Sequence, residues 1–171
     1  MLDFMSKSSA NTVTLVNILC GSLSLVSTLN ADYRAAALFI LLAVVMDGMD
    51  GRIARKFGVS SDMGKELDSL CDLVSFGVAP ALLLYAQVLN IFPYLLGLIA
   101  ALLYIMCGAF RLARFNVLNI KEYFVGIPIT LAGTALAFVS LLTAFIPEYL
   151  VFITVIFLSF MMISNIKVRK C

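Results

Sequence analysis

Asp47 and Asp50 stand three residues apart, and Gly64, Asp68 and Asp72 follow one another at four-residue steps. In helices each set lines one face, and the two faces can converge across the short segment 57–64. Four oxygen donors with no histidine in the chain and no CxxC pair suit hard divalent cations, Mg²⁺ or Mn²⁺, and two such ions balance four negative charges. The lack of histidine also excludes Ser-His-Asp and Cys-His nucleophile pairs and imidazole metal ligands. Chemistry is left to Asp, Glu, Lys, Arg, Ser or Tyr. Gly51 and Ala54 lie beside the carboxylates and keep that helix surface low enough for a bulky ligand to approach the backbone. Arg55, four residues past Gly51, is suited to a phosphate oxygen. The plainer alternatives are a salt-bridged polar patch using Arg52, Arg55 and Lys56, and helix packing at Gly51 and Ala54.

These residues sit in a chain of 171 residues that is 63% hydrophobic and 13% charged, with a mean hydropathy of +1.07, against roughly 25% charged residues in ordinary soluble domains. That is a membrane composition. No linker, charge block or repeat divides it, so residues 1–171 are expected to form a single domain. A net charge of +2, spread in clusters near helix ends, gives no reason to expect nucleic-acid binding. The start lacks the basic n-region and cleavage site of a secretory signal, so the first apolar segment is expected to be retained. Cys20, Cys71, Cys107 and Cys171 are widely scattered and read as small packing residues.

A helix needs about 20 mainly apolar residues to cross the hydrocarbon. Segments near 12–29, 34–56, 65–87, 91–114, 127–146 and 149–166 qualify, which predicts an all-α membrane protein of six transmembrane helices. Short connections make consecutive helices antiparallel neighbours. Lys7, Arg52, Arg55, Lys56, Lys65, Arg111, Arg114, Lys121, Lys167, Arg169 and Lys170 then fall on one side and only Arg34 on the other. Cytoplasmic loops retain the basic excess, so both termini are expected in the cytoplasm and the protein in the cell membrane. The first nine residues are compatible with a short interfacial helix.

Depth makes the carboxylates costly. The apolar run Ala35 to Met46 reaches only about 18 Å at 1.5 Å per residue, short of the roughly 30 Å hydrocarbon, so Asp47 and Asp50 lie within the inner leaflet. Asp68 and Asp72 lie at a similar level in the third span. A charge at the bilayer centre costs roughly 2.5 to 3.5 kcal/mol on insertion scales, less toward the interface. Four together need cations to offset them. Asp3, Asp32, Asp62, Glu122 and Glu148 fall at helix ends or in loops, and Glu66, near the inner boundary, is expected to be solvated or to pair with Lys65 or another cation.

Taken together the positions spell Asp47-x2-Asp50-Gly51-x2-Ala54-Arg55-x8-Gly64-x3-Asp68-x3-Asp72. This resembles the complete signature of the CDP-alcohol phosphatidyltransferase family, and the six-span topology extends the resemblance over essentially the whole chain. The resemblance implies transfer of a phosphatidyl-type group from a CDP-linked lipid to an alcohol, with CMP leaving. It implies that Asp47, Asp50, Asp68 and Asp72 hold two divalent ions, that Asp72 is also the general base, and that Gly51, Ala54 and Arg55 contact the CDP moiety. A carboxylate bound to metal is a poor proton acceptor, so Asp72 acting as base is at most loosely coordinated. The resemblance also implies a homodimer, to which Gly97 and Ala101 add a weak small-xxx-small signal.

Outside the signature, the segments 68–81, 111–116, 124–128 and 14–17 look like the phosphatidylserine synthase branch, which includes archaeal enzymes making archaetidylserine. The expected substrates are therefore CDP-diacylglycerol or CDP-archaeol and L-serine. Arg111 and Arg114, at the cytoplasmic end of the fourth span, are candidates to hold a lipid phosphate or the serine carboxylate, with positive-inside anchoring as the alternative. Asn17, Ser69 and Ser75 are candidates to line the site or to join helices by hydrogen bonds. The competing acceptors, glycerol 3-phosphate or an inositol phosphate, carry an extra phosphate and should want a larger basic pocket. A cation or proton transporter is the reading from another class, but transporter sites tend to lie at the midplane between repeated halves. Here the aspartates cluster nearer the inner face, in one helical hairpin.

Overall fold

The computed structural model describes the backbone of residues 2–57, 62–118, 123–164 and 167–169, and side chains within 14–49, 63–93, 95–117 and 126–164. Helix α1 spans Leu2–Leu29, α2 Tyr33–Phe57, α3 Asp62–Asp72, α4 Ala79–Gln87, α5 Tyr94–Leu118, α6 Ile129–Leu141 and α7 Glu148–Ile163. A π-helical segment, Leu73–Val78, joins α3 to α4 without a break. The described helices therefore make six rods, at the places where the apolar segments predict them.

The rod ends follow local rules. Ala31 takes a left-handed conformation, φ 58°, between α1 and α2, and Asp32 caps α2 by accepting the Ala35 N–H at 3.1 Å. Pro128 and Pro147 stand immediately before α6 and α7, where the lack of an N–H costs nothing. Gly126 has φ +76°, and a Cβ there would meet the Met162 carbonyl oxygen, so both conformation and space call for glycine.

Several boundaries differ from expectation, among them α6, which ends at Leu141, short of 146. Helix α1 runs unbroken from Leu2, so the first residues continue the first span and do not form a separate interfacial helix. The fourth rod begins at Tyr94, after a 3₁₀ turn at Leu89–Ile91, and runs on to Leu118. The all-α expectation also meets a small exception. Tyr123–Val125 pairs antiparallel with Lys167–Arg169, Tyr123 opposite Arg169 and Val125 opposite Lys167, a ribbon too short to give a readable period in sequence.

The core lies where α1, α2, α4, α5 and α6 meet, around Ile40, Phe76, Leu83, Leu84, Tyr104 and Leu136, all fully buried. Cys20 and Cys107 are buried within it, Cys71 is buried outside that cluster, and none of the three forms a disulfide. The opposite faces are apolar as well. On α5, Leu95, Ile99, Leu102, Met106 and Phe110 are exposed, and on α7 Tyr149, Ile153, Phe157 and Phe160. Stripes of that size are foreign to a water-facing monomer and belong against lipid. Met63–Gln87 and Leu95–Val117 are, among the described residues, long and apolar enough to cross a membrane; Thr14–Leu29, Ile129–Leu141 and Glu148–Ile163 are shorter apolar helices.

Gly97 and Ala101 do not form a free dimer face. Both are buried inside the chain, because α5 packs its Gly97 directly on the Leu89 carbonyl. Gly97→Ala would push a methyl into that backbone. We expect a loss of about 1 to 3 kcal/mol, read as an earlier thermal unfolding transition in detergent.

Candidate active site

The carboxylates converge. One oxygen each from Asp47 on α2 and from Asp68 and Asp72 on α3 lies within 4.8 Å of the other two. The four-residue step brings Asp68 and Asp72 to one face of α3, and both α2 and α3 pack against α1. Asp47 and Asp68 are half-buried, whereas Asp72 is only 9% exposed. Asp50, Gly51, Ala54 and Arg55 ride on the last turns of α2, and their side chains lie outside the described residues.

Asp72 has two polar neighbours. Asn17, 1% exposed on α1, donates from Nδ2 to Asp72 Oδ1 at 3.4 Å. Arg111 on α5 interacts with Asp72 electrostatically. Two buried atoms in this group have no hydrogen-bond partner among the described residues: Asn17 Oδ1, an acceptor, and Arg111 Nε, a donor. Buried polar atoms are almost always paired, so an orphan acceptor and an orphan donor on two residues that both interact with Asp72 are features of a place that receives something polar.

Arg111 interacts electrostatically with Asp72, and Arg114 Nη1 donates to the Ile163 carbonyl at the end of α7, at 3.5 Å. Glu66 is exposed to solvent, one of the two expected outcomes, and accepts from Asn116 Nδ2 at 3.2 Å. Asn116 also exchanges hydrogen bonds with Ser69 at 3.1 and 3.3 Å. That network ties the carboxylate helix α3 to the end of α5. Ser75 donates to the Asn17 backbone carbonyl at 3.1 Å, a helix-to-helix bond of the kind expected for it. Asn116 lies in the segment 111–116 singled out from sequence, yet its tie to α3 had no signal there. It emerges only when the two helices are side by side.

Three acidic groups this close need an offset. Like carboxylates packed partly out of water repel strongly. Oxygen-only donors from two helices, partly shielded from solvent, fit a hard divalent cation. The residues present thus fit a divalent cation.

The sequence profile of CDP-alcohol phosphatidyltransferases matches residues 7–164. The chain belongs to the CDP-alcohol phosphatidyltransferase family. Divalent metals are general in this family, in agreement with the acidic cluster. Among the family's curated members, the chain is 42% identical over 156 residues to the CDP-diacylglycerol–serine O-phosphatidyltransferase of Bacillus subtilis, covering 91% of this chain and 86% of that one. It is 43% identical over 159 residues to the protein of the same name from Methanocaldococcus jannaschii, covering 92% and 72%. It is 38% identical over 158 residues to the archaetidylserine synthase of Methanothermobacter thermautotrophicus, covering 91% and 66%. The family's bacterial and archaeal serine branches thus both resemble the chain over nearly all its length.

Proposed function

We propose that this protein is a phosphatidylserine synthase: it transfers a phosphatidyl or archaetidyl group from a CDP-activated lipid to the hydroxyl of L-serine and releases CMP. The observation that carries this reading is the convergence of Asp47, Asp68 and Asp72 within 4.8 Å in a chain of this family. In the reaction the serine hydroxyl oxygen bonds to the lipid phosphorus, the pyrophosphate P–O bond breaks, and its electron pair leaves with CMP. Asp72 takes the hydroxyl proton. With Asp50, the three carboxylates would hold two divalent ions, Mg²⁺ or Mn²⁺, which would screen the pyrophosphate and stabilise charge on the departing CMP. Gly51 and Ala54 leave room for the nucleotide, and Arg55 addresses a phosphate oxygen.

The acceptor side follows from the two orphan atoms. Serine carries an ammonium group, a carboxylate and the reacting hydroxyl on adjacent carbons. Asn17 Oδ1 suits the ammonium and Arg111 Nε suits the carboxylate, and both residues interact with Asp72. The modest basic supply of Arg111, Arg114 and Lys121 favours an amino acid over a phosphorylated alcohol. Arg111→Gln should raise KM for serine roughly 10- to 100-fold, the worth of about 1.5 to 3 kcal/mol for a charged hydrogen bond, while KM for the CDP-lipid stays within about threefold.

The same reading takes residues 1–171 as a single six-span transmembrane domain. The six rods and the eleven-to-one distribution of Lys and Arg support both termini and the metal site facing the cytoplasm. The family resemblance supports a homodimer, through a face other than Gly97 and Ala101. The test is CMP release by purified protein from a CDP-lipid and Mg²⁺ or Mn²⁺, with serine, glycerol 3-phosphate or inositol 1-phosphate added separately. Release with serine alone, abolished by EDTA, is expected. Release with another acceptor alone would overturn the serine reading and leave the metal site standing.

A further inference from the structure

The helix that carries Asp68 and Asp72 changes its winding immediately after Asp72. Leu73–Val78 is π-helical, a rare geometry that occurs mostly as single turns inside α-helices, frequently at functional sites. A π turn sets the preceding and following faces of the helix out of phase by about one residue, roughly 100° of rotation. The direction in which Asp72 points, relative to the buried face of α4, therefore depends on that turn being kept.

Three helices hold it. From α5, the Tyr104 hydroxyl donates to the Phe76 carbonyl at 3.1 Å, and from within the turn Ser75 Oγ donates to the Asn17 carbonyl of α1 at 3.1 Å. Tyr104, Ser75 and Phe76 are fully buried. Glycine notches admit the neighbours: a Cβ on Gly21 of α1 would lie 2.8 Å from Ser75 Cα, and one on Gly133 of α6 would lie 2.7 Å from the Phe76 carbonyl oxygen. Asn17 is thus fixed twice, its backbone by Ser75 and its side chain by Asp72. Rewinding the segment to α-helix would turn Phe76 away from Tyr104 and Ser75 away from Asn17.

We infer that the π turn is a positioning element for Asp72, held by the hydroxyls of Tyr104 and Ser75 as positioning residues. Neither hydroxyl touches the carboxylates; each acts by fixing the phase of the helix that bears them. The inference rests on the cation-binding role proposed above. Partners that orient a metal site from outside are commonly worth about 10- to 100-fold in metal affinity or activity, whereas buried hydroxyls that merely stabilise would leave the folded protein's kinetic constants unchanged.

The test compares Tyr104→Phe and Ser75→Ala with Ser159→Ala, all as full-length protein in detergent. Ser159 is an equally buried hydroxyl whose bond, 2.7 Å to Val155, stays within α7. Two quantities are read on folded protein: kcat and KM for CMP release, and Mn²⁺ affinity without substrates from the electron paramagnetic resonance of free Mn²⁺. Tyr104→Phe and Ser75→Ala should each lower kcat at least about 10-fold and weaken Mn²⁺ binding, with both KM values little changed, while Ser159→Ala matches wild type. Wild-type kcat and Mn²⁺ affinity in both variants would overturn the inference. Should one variant not fold, the other decides alone. If wild-type protein released no CMP with any acceptor, the functional reading would fail, and Mn²⁺ affinity by itself would decide the positioning role.

Discussion

Asp68→Asn should abolish transfer while leaving the protein folded and inserted. The substitution keeps the size and shape of the side chain and removes one of the three charges gathered within 4.8 Å. Loss of a ligand from a centre that stabilises transition-state charge by several kcal/mol implies a fall of at least about 10³-fold, at 1.36 kcal/mol per decade. Mn²⁺ binding should be lost in parallel. Asp68 is half-buried on α3, so an amide of the same shape can keep its place. CMP release, Mn²⁺ binding and a thermal melt on the same preparation separate these effects. Full activity would sink the metal assignment, and an unfolded variant would show that Asp68 serves packing.

The carboxylate convergence was legible because it depends on two local facts. Four-residue spacing puts Asp68 and Asp72 on one face, and a short connection lets α2 and α3 approach, so little tertiary knowledge was needed. The six apolar segments were legible for a similar reason, since bilayer thickness sets their length. What stayed hidden is non-local. Tyr104 is one aromatic residue among many in an apolar helix, and only the crossing of α5 over the π segment shows that its hydroxyl finds Phe76. Gly21 and Gly133 look like ordinary small residues until the backbones they admit are known. Gly97 shows the reverse case. Its spacing with Ala101 pointed outward, to another copy of the chain, yet the close approach it permits is to Leu89 of its own chain. Arg111 and Arg114 share a spacing that suggests joint action, but the bond from Arg114 to the end of α7 shows only in the packed structure.

Asp72→Asn should differ from Asp68→Asn in kind. If Asp72 takes the serine proton and is only loosely coordinated, its amide variant loses the base and keeps most of the ion binding. The expected fall in kcat is about 10²- to 10⁴-fold, the usual worth of a positioned general base, with Mn²⁺ affinity changed far less than in Asp68→Asn. The environment of Asp72 sharpens the contrast. It is nearly buried and crowded by Asp47 and Asp68, with Asn17 and Arg111 as its polar neighbours. An asparagine there removes like-charge repulsion and can still meet Asn17, so in EDTA the variant should melt no earlier than wild type. Equal loss of Mn²⁺ binding in the two variants would make Asp72 a full ligand and send the search for the base elsewhere. Retained binding with lost turnover would assign the proton transfer to Asp72 and leave ion binding chiefly to the other carboxylates.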